Sequence, residues 1–97
     1  MKPLPGNHIL PVIHLNGTSA DELIRVRSEA YDALGVAYEA LRQMSPNGRD
    51  YYPIDANAIS IAVEQHRKRQ QAIDDIRNEL ECEIWFIEQE QKARVRR

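Results

Sequence analysis

Midway along the chain, Ser45-Pro46-Asn47-Gly48 interrupts two stretches whose apolar residues recur at steps of three and four. Proline and an Asn-Gly pair both stop helices, so the periodicity on either side belongs to two helices and not to one. A chain of 97 residues with this single break has one natural solution. The expected class is all-α: a long antiparallel helical hairpin with an extended N-terminal arm, assembling into an oligomeric helical bundle.

Residues 1–17 are the arm and its turn, and residues 18–97 the hairpin, with helices over about 19–44 and 56–94. Pro3, Pro5 and Pro11 bar a helix in the arm, while Ile9-Leu10-Pro11-Val12-Ile13-His14-Leu15 is apolar enough to need a surface to lie on. Asn16-Gly17-Thr18-Ser19 then supplies a turn and a cap, with Ser19 and Glu22 spaced as a capping box and Asp21 beside the positive helix end. Helix one carries Leu23, Val26, Ala30, Leu34, Ala37, Leu41 and Met44 on one stripe over ~26 residues, or ~39 Å. Helix two carries Ile59, Ala62, His66, Arg69, Ile73, Ile76, Leu80, Ile84 and Ile87 over ~38 residues, or ~57 Å. A tight Asn-Gly reversal through positive φ leaves roughly the last four or five turns of helix two, with Ile84, Trp85, Phe86 and Ile87, facing nothing on helix one.

Two helices bury too little surface to offset the entropy of ordering them, which predicts a homo-oligomer, dimer or tetramer, with residues 10–15 of the arm or a neighbouring subunit over the Trp85 cluster. Cys82 is the single cysteine, and no Cys/His spacing suits a metal, so neither a disulfide nor a metal or other cofactor is expected. The opening residues lack a signal-peptide core and no apolar run is long enough to span a bilayer; a cytoplasmic protein without membrane partners follows as the expectation. A formal charge of −2 argues against a nucleic-acid surface, despite Arg67-Lys68-Arg69 and the basic end at 92–97. No nucleophile motif, phosphate loop or dinucleotide fingerprint is present, and Glu79, Glu81 and Glu83 around Cys82 push a thiol away from reactivity. The chain does not read as an enzyme.

Binding residues gather in three places. Arg49, Asp50, Tyr51 and Tyr52 follow the Asn-Gly pair, and a turn needs none of them to close. They read either as a local Arg49–Asp50 ion pair with the tyrosines capping the core, or as a site where Arg49 holds a phosphate, a tyrosine stacks on a base and Asp50 accepts from an exocyclic amine. His14, Asn16, Gly17 and Thr18 lead into helix one; they read as turn and cap chemistry, or as an anion site at a helix start. His66 and Arg69 fall on the predicted core stripe, so they are paired, line a polar pocket, or turn outward through a small change of helix phase. Helix one holds the first two places ~39 Å apart, and antiparallel packing of two subunits is what could bring them together.

Ile13-His14-Leu15-Asn16-Gly17-Thr18, taken with Asn47-Gly48-Arg49-Asp50-Tyr51-Tyr52-Pro53 and a supporting Glu64-Gln65-His66-Arg67, resembles a group of short bacteriophage helical-hairpin proteins over roughly residues 12–80. That group in turn is similar to phage sponge proteins, small helical oligomers that sequester the cyclic nucleotide signals of bacterial antiphage defence such as CBASS. The resemblance implies immune evasion in the host cytosol by binding a cyclic nucleotide without turning it over, with Asn16, Thr18, Arg49, Tyr51 and His66 as ligand candidates. The alternative is a phage protein-binding module, an inhibitor of a host defence complex or a small assembly adaptor, working through Trp85, Phe86, Ile87 and the basic C-terminal residues.

Overall fold

The computed structural model describes residues 1–95; Arg96 and Arg97, the end of the basic tail, lie outside them. It is helical as expected, with α1 at Ala20–Arg42, a one-turn α2 at Gly48–Tyr51 and α3 at Ala58–Val95. Ser19 caps α1, its Oγ accepting the Glu22 N–H at 3.2 Å. The reciprocal half of the capping box does not form, because the Glu22 carboxylate accepts from Arg25 Nε at 2.8 Å instead. At the start of α3 the Asn57 carbonyl accepts the Ile61 N–H at 3.3 Å.

α1 and α3 pack antiparallel along a seam spaced by alternating threes and fours, the coiled-coil period. Ile24, Arg27, Tyr31, Leu34, Tyr38 and Leu41 turn inward from α1. His66, Gln70, Ile73, Arg77, Leu80, Ile84 and Ile87 do so from α3. This corrects the predicted stripes in part. Val26, Ala30, Ala37 and Met44 are exposed, and so are Arg69 and Ile76, whose places are taken by Gln70 and Arg77. α1 carries two apolar stripes one residue apart, and the one interrupted by Arg27, Tyr31 and Tyr38 is the one that packs, because long amphipathic side chains cover apolar surface with their stems and rings. Arg77 shows how: its guanidinium lies 4.0 Å over the Tyr31 ring and its Nε donates to the Tyr31 carbonyl at 3.3 Å. A Cβ at Gly35 would stand 3.0 Å from Arg77 Nη2, so glycine makes room for the stack.

The register also differs from expectation. Gln91 Nε2 donates to Asp21 at 2.9 Å, and Arg27 Nε donates to Glu83 at 2.7 Å. Thus α1 covers the C-terminal half of α3, and the projecting part is its N-terminal end, residues 58–67. The cause is the connection. Neither Asn47 nor Gly48 adopts positive φ, and in place of a tight reversal Asn47 caps α2, which packs against α3. A link of residues 43–57 can climb alongside the first turns of α3 before the helix starts.

The arm runs beside α3 in the same direction, with Lys2 at Asn78, His8 at Glu83 and Ile13 at Arg94. It covers part of the Trp85–Phe86 pair, whose rings meet edge-on at 4.9 Å. The covering residues come from 1–10, so of the predicted 10–15 only Leu10 takes part. Ile87 is not left facing nothing, being 3 % exposed. Among the described residues the buried apolar core is Ala20, Ala62, Cys82 and Ile87, which is very little for a molecule extending 66 × 25 × 20 Å.

Candidate functional site

At the loop end, the Asn47 carboxamide oxygen accepts the Arg49 backbone N–H at 2.9 Å and Arg49 Nε at 3.3 Å. The Arg49–Asp50 ion pair does not form among the described residues; both side chains are exposed. Tyr51 is half-buried and Tyr52 is 75 % exposed. A guanidinium with unused donors, a carboxylate and a phenol ring therefore share one turn of helix in solvent, able to meet an anion joined to a planar ring.

At the opposite end of α1, the Gly17 N–H donates to the His14 carbonyl at 3.1 Å. His14 folds back so far that a Cβ on Gly17 would lie 2.6 Å from its Nε2. Gly17 has no unusual φ, and a side chain there would have to displace only the tip of the exposed His14 ring. Asn16 and Thr18 are exposed, and among the described residues their side chains make no hydrogen bond. One chain does not bring this turn to the loop: α1, 23 residues or ~35 Å long, stands between them.

His66 and Arg69 part company. Arg69 is exposed, the outward-turned reading. His66 is 5 % exposed and neither ring nitrogen has a hydrogen-bond partner. A buried, unpartnered imidazole costs about 1–3 kcal/mol, so its position on the projecting end of α3 is a liability that packing alone does not explain.

Sequence reasoning missed the polar pins of the arm. Glu83 is pinched between His8 Nε2 and Arg27 Nε, each donating at 2.7 Å, with 15 % of its side chain exposed. Burial pushes its carboxyl up, but the hydrogen bonds from His8 and Arg27 outweigh it and hold the group below the ordinary carboxylate value. Asn78 grips the Lys2 main chain from both sides, its Oδ1 accepting the N–H at 2.8 Å and its Nδ2 donating to the carbonyl at 3.0 Å. Cys82 Sγ donates to the same carbonyl at 3.1 Å. Burial, and after it Glu81, raises the Cys82 thiol, which is packed beneath the arm. A carboxylate and a carboxamide in a helix rich in both carry no local signal of such roles.

Among the described residues, no three His, Cys, Asp or Glu side chains stand close enough to hold a metal ion, and no helix is long and apolar enough to cross a membrane. Compared with family models, curated proteins and solved structures, the chain matches none.

Proposed function

We propose that this chain is a phage immune-evasion protein that works as an antiparallel assembly and sequesters a cyclic nucleotide defence signal without turning it over. The observation that carries this reading is the second stripe of α1. Val26, Ala30, Ala33, Ala37, Ala40 and Met44 are all exposed, one residue or ~100° round from the seam. Small residues at steps of three and four let another helix approach closely. The part of the stripe on α1, residues 26–40, is centred on residue 33, so a second copy laid antiparallel along it brings the 14–18 turn of one chain to the 47–52 loop of the other.

Exposed area supports the same conclusion. The chain exposes 7315 Å², whereas a compact chain of this size exposes about 5,700 Å². The excess of roughly 1,600 Å² per chain is about twice the ~800 Å² that a standard interface removes from each partner.

In the composite site Arg49 binds a phosphate, Tyr52 stacks on a base, Asp50 accepts from an exocyclic amine, and Asn16 and Thr18 of the partner copy complete the polar rim. Tyr51 backs the loop from its half-buried position. Binding is stoichiometric, and the protein acts in the host cytosol by lowering the free signal. Native mass spectrometry with a panel of cyclic di- and trinucleotides and cyclic ADP-ribose isomers tests this. Whole ligand masses on a discrete oligomer are expected; an oligomer that ignores the panel sinks the reading in favour of the protein-binding module. The surface foreseen for that module is reduced, since Ile87 is buried and the arm lies over part of Trp85 and Phe86.

A further inference from the structure

The groove on α3 from Asn78 to Arg94 recognises backbone. The Asn78 carboxamide pairs with both the N–H and the carbonyl of Lys2, Cys82 reinforces that carbonyl, and Arg94 donates to the carbonyl of Ile13. Between these points a cavity of about 400 Å³ lies between arm and helix, walled by Leu4 and Leu10 on the arm side and by Cys82, Trp85 and Phe86 on the helix side. Contacts of this kind read an extended segment whichever chain it comes from.

We infer that the groove is an exchange site, and that in the assembled protein it is filled by the N-terminal arm of a second copy. This goes beyond the proposed ligand and does not depend on it; the α1 stripe sets two 14–18 joints at opposite ends, so the exchange joins each chain to a different copy through a second two-fold axis, as in a tetramer. Three observations carry the inference. First, the arm's hydrogen bonds to the body of the molecule all end on α3 among the described residues, so a neighbour's arm reproduces every one of them. Second, the joint between arm and α1 is weakly held. The Gly17 N–H to His14 carbonyl bond closes its turn, and among the described residues no side chain of residues 14–18 is hydrogen-bonded into α1 or α3. Opening it forfeits little.

Third, the arm's outer edge is apolar and uncovered. Ile9, Val12 and Leu15, spaced by three as in a polyproline-type strand, are 88 %, 70 % and 98 % exposed. Leu15 sits in the joint itself. When two chains exchange arms about a two-fold axis, the two joints cross, and Val12 and Leu15 of each chain meet their mates. Closed on its own chain, the arm leaves this edge in water; exchanged, it is covered.

The lone cysteine under the arm supplies the test. A Pro3→Cys, Cys82→Ser chain is coexpressed with the wild-type chain, the assembly is purified and oxidised mildly with diamide, and products are read by non-reducing electrophoresis and peptide mass spectrometry. A covalent product joining residue 3 of one chain to residue 82 of the other is expected. The Pro3→Cys single variant is run in parallel. A bond confined within one chain there, with no mixed product, overturns the exchange. Absence of both bonds overturns it as well, because the arm then does not occupy the groove.

Discussion

The two ends of the molecule treat polar groups in opposite ways. Where α1, the arm and the C-terminal half of α3 meet, Glu83, Asn78 and Arg77 are each tied by two or more contacts, and no described polar side chain is buried without a partner there. At the projecting end of α3, His66 is buried with both nitrogens unpartnered, while Arg49, Tyr52, Ile54 and Ile61 stand in solvent. In its polar pairing one end is complete as a single chain and the other is not. Satisfied polar networks rigidify a scaffold, whereas an orphaned buried donor and exposed rings are what a protein keeps where a partner or ligand will complete them.

The sharpest way to break this comparison is to charge the second stripe of α1. Ala33→Glu with Ala37→Glu sets like charges against each other across the proposed α1 packing, and we expect that packing to come apart, with native mass falling to the arm-exchanged pair and ligand binding lost. If the assembled mass persists, the copies meet elsewhere. Next in size is Arg49→Ala, expected to weaken ligand binding ~10–100-fold by removing a charge-assisted hydrogen bond of about 1.5–3 kcal/mol, with no change of oligomeric mass. Titration calorimetry with a ligand the wild type holds decides it, and unchanged affinity would clear Arg49 of the role.

At the finished end, Glu83→Gln should cost about 1–3 kcal/mol in denaturant unfolding, since two donors then meet a weaker acceptor in a largely covered position. Its pH dependence carries a sign. Glu83 titrates below its ordinary value of 4.5 when folded, so its contribution is fully present above that value and is lost as pH falls through the lower folded value. The acid limb of the stability curve should therefore be shallower in Glu83→Gln than in the wild type. Equal acid limbs would show that the pinch adds nothing. The smallest effect is expected from His66→Leu, neutral to ~1 kcal/mol stabilising, because it removes two unsatisfied polar atoms. A clear loss of stability, measured on the assembled protein, would mean that the assembly gives His66 a partner.

Much of the architecture was legible in the residues, and the reasons differ by element. Ser19 with the acidic first turn announced α1, and the Pro46 break announced its end. The stripe of α3 was read correctly at Ile59, Ala62, His66, Ile73, Leu80, Ile84 and Ile87, where apolar spacing is long and regular. It failed at Arg69 and Ile76, because a 3.5-residue seam drifts relative to any stripe drawn by eye through a 3.6-residue helix. On α1 the predicted stripe crossed between two rows: Leu34 and Leu41 pack, whereas Val26, Ala30, Ala37 and Met44 are exposed. Of the candidate binding residues, Arg49, Asp50, Tyr52, Asn16 and Thr18 do stand in solvent. His14 is folded onto Gly17, and Arg69 faces water away from His66.

What the sequence determined by itself was the kind of elements: two long helices, a proline-bound arm and a polar, aromatic connection, each dictated by short-range propensity and periodicity. Register belonged to the tertiary structure. Which turn of α3 lies against α1, which end projects, and that Asn78 and Glu83 hold the arm all depend on contacts between residues more than fifty apart in sequence. Such contacts are set by how whole surfaces fit together, and no local pattern of residues encodes that fit.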